Sequence, residues 1–152
     1  MDFFDLIRWG KTEELKERIA ADHSLVEKKN EKGFPPLILA TYNDQPEIAK
    51  ILLDHGADVD SRDMAGNTAL MGICFKGYLE MGKMLLAKGA DVNARNYNGA
   101  TALIYAATFN HKDIAQWLID NGADKHVIDA RGNTAYTHAL MQGSEDLAEM
   151  VK

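Results

Sequence analysis

The stretch Asp63–Arg95, DMAGNTALMGICFKGYLEMGKMLLAKGADVNAR, repeats itself along the chain. Moved back by 33 residues it lies on Asn30–Arg62, and moved forward it lies on Asn96–Ile128 and then on Asp129–Lys152. A period of this length specifies a stack of small units, each unable to bury its own apolar face and each dependent on its neighbours. No other property of the sequence restricts the fold as strongly.

Each repeated letter has a physical reason. Asn30, Asp63, Asn96 and Asp129 open a turn, where a short side chain can bond nearby backbone. Glycines follow three residues later, at 33, 66, 99 and 132, and mark positive φ. Thr68, Thr101 and Thr134 then stand at a helix N-cap, a place that Pro35 takes in the first full unit. Leu37, Leu70, Leu103 and Tyr136 start a short apolar helix, which Ala40, Ala106 and Ala139 keep thin for close stacking. Asp44, Gly77, Asn110 and Gly143 break it, all residues that tolerate the left-handed conformation. A second helix begins at once, with Pro46 in its first turn in the first full unit. Glu47, Glu80, Asp113 and Asp146 meet its positive end. Ile48, Met81, Ile114 and Leu147, with Leu52, Leu85 and Leu118, supply its buried stripe, and Gly56, Gly89 and Gly122 end it.

These units divide one domain, 1–152, into full repeats at 30–62, 63–95 and 96–128, flanked by an N-terminal capping repeat at 1–29 and a C-terminal one at 129–152. In the first, Phe4, Ile7, Leu15, Ile19 and Val26 keep the phase of Leu37, Ala40, Ile48, Leu52 and Val59, while the remainder is charged, as an end cover requires. The last unit runs out at Lys152 inside its second helix, where a short polar helix suits a cap and a truncated end is the alternative.

The run G-N-T-A-L, a short helix, a Gly or Asn break, a second helix, then L-L-x-x-G-A-D-V-N-A-R resembles the ankyrin repeat, over nearly the whole chain. The resemblance implies an all-α solenoid of stacked antiparallel helix pairs joined by β-hairpin-like loops. It also implies a non-enzymatic role in binding other proteins along the concave side. The family's T-P-L-H is altered to Pro35-Pro36-Leu37-Ile38, Thr68-Ala69-Leu70-Met71, Thr101-Ala102-Leu103-Ile104 and Thr134-Ala135-Tyr136-Thr137. Without the histidine, hydrogen bonds between neighbouring loops are expected to give way to packing by Ile38, Met71 and Ile104. Asn93 resembles the asparagine that hydroxylases modify in some eukaryotic members.

Ankyrin proteins are similar to one another in using hairpin tips and the outward face of the first helix for binding. In this register the helix face carries Trp9, Tyr42, Phe75, Thr108 and Met141, each 33 residues from the next, beside Asn43, Lys76 and Phe109. The tips carry Phe34, Met64, Asn67, Tyr97, Asn98 and Arg131. Large rings and Met with polar neighbours are what a protein-binding strip uses, and Trp9, Tyr42 and Phe75 are expected to form one continuous patch. The competing reading folds these rings back to extend the core; the spacing favours binding.

Other functions find little footing. A formal charge of −6 supplies no basic face for nucleic acid. No apolar run reaches the roughly 18 residues a membrane span needs, and the acidic start MDFFD is unlike a signal peptide. The single cysteine, Cys74, excludes an internal disulfide and suits a reducing compartment, so a cytoplasmic monomer is expected. The five histidines make no ligand spacing with Cys74, and no nucleophile or phosphate-loop motif is present. Asp58, Asp91 and Asp124 recur in every repeat, which points to loops, since a catalytic acid is needed once. The expectation is a protein partner, no cofactor, no metal, no nucleic acid and no membrane. An inhibitor, immunity or accessory subunit of a neighbouring enzyme is the alternative, its acidity steering it to a basic target.

Overall fold

The computed structural model describes residues 1–152 and contains ten α-helices and no β-strand. Inner helices are α1 (Phe3–Arg8), α3 (Pro36–Tyr42), α5 (Ala69–Lys76), α7 (Ala102–Thr108) and α9 (Ala135–Met141). Outer helices are α2 (Thr12–Ala21), α4 (Pro46–Asp54), α6 (Leu79–Ala87), α8 (Lys112–Asp120) and α10 (Glu145–Val151). A short 3-10 turn, His23–Glu27, follows α2. Each inner helix packs on its own outer helix and on the next inner helix, so one apolar core runs the length of the stack.

Inner helices α5, α7 and α9 start where threonine offers an oxygen, while α3 starts after Pro35 without a side-chain cap. Thr68, Thr101 and Thr134 accept from the backbone N–H of Met71, Ile104 and Thr137. Their ends are set by the expected breakers, with φ +52° at Asp44, +83° at Gly77, +59° at Asn110 and +75° at Gly143. Outer helices have no side-chain cap bond at Gln45, Tyr78, His111 or Ser144 and depend on their amphipathic faces. Ile48, Leu52, Leu85, Leu118 and Leu147 are fully buried there, and Met81 and Ile114 nearly so. Burying a side chain of this size contributes about 1.5–3 kcal/mol each.

The loops between repeats close on themselves without forming strands. In each, the opening Asx side chain accepts two backbone N–H groups, as Asp63 Oδ1 does from Ala65 and Asn67. The loss of the histidine does not leave the loops unbonded. Tyr97 N–H donates to Ala65 O, and Ala130 N–H to Asn98 O. Arg62 donates to Gly66 O and, across the next loop, to Arg95 O at 2.8 Å; Arg95 does the same to Gly99 O and Ile128 O. Ile38, Met71 and Ile104 are buried as expected, so packing adds to these bonds. A second ladder runs along the opposite corner: Glu27, Asp60 and Asn93 side chains accept from the backbone N–H of Asp58, Asp91 and Asp124. Asn93 Nδ2 also donates to Gly122 O.

One register expectation is corrected. In α1 the left-handed break falls at Gly10 (φ +68°), one residue before the position equivalent to Asp44. The slip makes Trp9 the C-cap of α1, the place Asn43 holds in α3, and leaves Arg8 where Tyr42 would be. Gln45 Nε2 fills the corner by donating to Arg8 O.

Candidate protein-binding face

The inner helices turn one row of side chains away from the core, toward the concave side that the loops border. From α3, α5 and the end of α7 come Tyr42, Phe75 and Phe109, and the three rings touch in sequence. Tyr42 and Phe75 lie parallel with centroids 6.3 Å apart, and Phe75 meets Phe109 edge-on at 4.7 Å. Tyr105, one turn before Phe109, stacks on it at 6.3 Å. The first three remain 47%, 40% and 41% exposed, so neighbouring repeats cover only part of each ring. Lys76 Nζ sits 4.5 Å from the Tyr42 centroid, a cation–π distance.

The expected members divide into two groups. Trp9 is 63% exposed and makes no ring contact with Tyr42, because the slip at Gly10 removes it from the line; the expected Trp9–Tyr42–Phe75 patch is therefore a Tyr42–Phe75–Phe109 patch. Thr108 is half-buried and turns its hydroxyl back to Ile104 O at 2.7 Å, leaving the aromatic place to Phe109. Met141 is exposed at the far end of the row. Asn43 is exposed but donates to Leu39 O. At the tips, Met64 and Tyr97 are exposed while lying over Gly33 and Gly66, where an added Cβ would come within 2.5 Å of Met64 Cγ and 2.7 Å of Tyr97 Cδ1. Those two glycines answer both to positive φ and to the side chain above them. Asn98 and Arg131 are exposed tip residues, and Phe34 is half-buried against the core.

Asn67 is not a free tip residue. Its Oδ1 accepts from Asn96 Nδ2 at 2.9 Å and from the Tyr105 hydroxyl at 3.1 Å. Asn96 also donates to the Tyr105 oxygen. This network clamps two loops to α7 and fixes the ring on which Phe109 stacks. Burial pushes the Tyr105 hydroxyl above its ordinary pKa and the nearby Asp63 charge adds to this, against its hydrogen bonds with Asn96 and Asn67. Tyr105 was absent from the sequence reading; its spacing of four from Phe109 on one helix was the available signal. In the last repeat His138 takes the place of Tyr105, and its Nε2 lies 2.8 Å from Asp129 Oδ2.

Charge separates the two sides of the stack. α3, α5, α7 and α9 contain no Asp or Glu, and their one permanent charge is Lys76. The outer helices do carry carboxylates, among them Glu47, Glu80, Asp113 and Glu145, and others such as Asp63 and Asp129 lie in the loops. Cys74 is buried in α5, and burial drives its thiol far above the ordinary range, as befits an inert core residue. No three His, Cys, Asp or Glu side chains converge on a point that could hold a metal ion, and no helix is long and apolar enough to cross a membrane.

Comparison with known proteins agrees with this architecture. A family model described as ankyrin repeats (3 copies) matches residues 7–96, 60–129 and 94–152. Among curated proteins, the chain is similar to NF-kappa-B inhibitor alpha of Gallus gallus, 41% identical over 66 residues, which are 43% of this chain and 21% of that protein. It is also similar to the Sus scrofa and Homo sapiens proteins of the same name, each 38% identical over 68 residues, 45% of this chain and 22% of theirs. The matched segment thus spans about a fifth of each relative. With helix pairs, loops and period in agreement, the chain belongs to the ankyrin-repeat family.

Proposed function

We propose that the chain is a non-enzymatic binding module that grips a protein partner across its concave face. The row Tyr42–Phe75–Phe109, with Lys76 beside it and Met64, Tyr97, Asn98 and Arg131 at the tips, forms the contact. Trp9, Asn43 and Met141 extend it toward the two ends. The observation that carries this reading is the continuity of three part-exposed rings from three successive repeats, on inner helices that contain no carboxylates. A packed core needs no such row, and rings of this kind supply most of the affinity at protein interfaces. The helices and loops behind them are already ordered, so little entropy is lost on binding.

The division into capping repeats 1–29 and 129–152 around three full repeats, a monomeric state, a cytoplasmic location and the absence of cofactor, nucleic-acid and membrane partners belong to the same proposal. Alanine substitution of Tyr42, Phe75 and Phe109 together tests it. Partner recovery from lysate should be lost while the thermal transition survives; a collapsed fold whose folded remainder still binds would assign the rings to the core.

A second reading, control of another protein by an inhibitor-like subunit, is supported by the name of the relatives and by the carboxylates of the outer helices. On that reading the acidic convex side meets a basic target. Complex formation would then weaken steeply between low and high salt, whereas apolar docking on the concave rings would change little.

A further inference from the structure

Gly72 lies inside α5, in the row of side chains facing the concave side, where a helix gains from alanine over glycine. The same position is Leu39, Tyr105 and His138 in the other repeats. Neither backbone nor packing calls for glycine here. Its φ is ordinary for a helix, and a Cβ built on it would meet nothing within 4 Å. What the glycine does is leave a hollow of about 140 Å³ between three repeats, walled by Phe34, Ile38, Tyr42, Met71, Phe75 and Tyr105.

Larger hollows of about 320–350 Å³ open at the turns between inner and outer helices, but they recur from repeat to repeat around Pro46, Lys112 and Ser144. Recurrence marks them as by-products of stacking. The hollow at Gly72 differs from these, and from one of about 270 Å³ at Asp129 and His138, because aromatic rings from three repeats, together with aliphatic side chains, make up most of its wall.

We infer that this hollow is a subsite for one aliphatic side chain of the partner, and that a carboxylate close to it in the partner's sequence meets Lys76. The inference rests on the binding role proposed above and deepens it. The polar groups in the wall ask nothing of a guest. Asp63 Oδ1 is held by two backbone N–H groups, Asn67 Oδ1 by Asn96 and Tyr105, and Thr68 Oγ1 by Met71 N–H. The remaining surface is aromatic and aliphatic, and its size is close to the roughly 150 Å³ of an apolar cavity that admits a benzene-sized guest. Lys76 at the rim makes no ion pair with any carboxylate of the chain. It is held against Tyr42 without an ion-pair partner, and the carboxylate in the wall, Asp63, is taken up by N–H groups of its own loop, which leaves the lysine complementary to an acidic segment.

Random peptides displayed on phage and selected on the folded chain provide the test. The expected winners share Leu, Ile, Met or Val within two or three residues of Asp or Glu. Gly72→Leu, which installs the side chain of the equivalent Leu39, should weaken each of them roughly tenfold or more. Lys76→Glu should replace their acid with Lys or Arg in a fresh selection. Melting temperatures of the variants no lower than that of the unmodified chain exclude misfolding as the cause. Peptides that need Tyr42 and Phe109 but ignore Gly72→Leu would overturn the subsite and leave the binding face standing. Peptides indifferent to all of these positions would overturn the face as well. Basic peptides selected by the unmodified chain would overturn the assignment of Lys76.

Discussion

The inner and outer helices of each repeat are built by different rules, though they alternate along one chain and bury residues in one core. Inner helices α5, α7 and α9 are seven or eight residues long, capped by threonine oxygens and closed by left-handed residues, so their ends are fixed by the backbone. Outer helices lack side-chain caps, reach nine residues in α4, α6 and α8, and are held by a stripe of fully buried Leu and Ile. The outer helices carry carboxylates, while inner helices α3, α5, α7 and α9 present rings and a single lysine. Both kinds bury apolar residues in the core, but only the inner helices line up part-exposed rings from successive repeats. The contrast makes the concave side the part of the molecule with side chains to spare.

The sharpest way to break this contrast is to truncate one residue from each kind of helix. Leu85→Ala in α6 should cost about 2–5 kcal/mol in urea unfolding, because the side chain is fully buried and leaves a cavity. Phe75→Ala in α5 should cost clearly less than this, because the ring is 40% exposed and its loss opens to solvent instead of leaving a closed cavity. Equal losses would place Phe75 in the core and dissolve the distinction.

Two glycines give the next, smaller effects, of opposite sign. Gly89 ends α6 at φ +92°, where a β-branched residue is strained whatever the space around it. Gly89→Val should therefore destabilise by more than about 1 kcal/mol, visible as a lower melting temperature. Gly72→Ala, in open space with helical φ, should stabilise by about 0.5–1 kcal/mol. A loss at position 72 would mean that packing, rather than an open face, selects glycine there.

The smallest expected effect concerns pH and lies at the C-terminal repeat. Burial works to raise the pKa of Asp129, but hydrogen bonds from His138, Asn133 N–H and Arg131 N–H outweigh it, and the carboxyl is held below its ordinary range. A lowered folded pKa contributes stability that is complete above the unfolded value, about pH 4, and is lost as pH falls through the folded one. Asp129→Asn keeps the turn, since Asn30 and Asn96 make the same two backbone bonds, and removes the charge. The variant's unfolding curve should depend less on pH below 4; an identical acid limb would show that the His138–Asp129 contact adds nothing to stability.

Much of the stack is legible in the sequence because each repeat votes again on the same positions. The breaks at Asp44, Gly77, Asn110 and Gly143, the threonine caps and the leucine stripe all repeat, and all appear in the fold. What the period hides is whatever departs from it or crosses it. The slip at Gly10 shifts Trp9 by one place, an event in a unit with no turn motif to fix its register. The Asn67–Asn96–Tyr105 network joins residues 29 and 38 apart, so Asn67 reads as a free tip letter until the loops are stacked. Arg62 and Arg95 bridge consecutive loops, contacts that no single repeat displays. Gly72 is visibly odd in its column, but the emptiness around it belongs to three repeats at once.

The central claim, that recognition belongs to the inner face, can be measured without knowing the partner in advance. A photo-reactive benzoylphenylalanine replacing Phe75 on α5 is compared, in lysate of the native host, with the same residue replacing Lys83, which is exposed on α6. The account predicts a discrete protein adduct from position 75 and none from position 83. An adduct from position 83 with none from position 75 would contradict it.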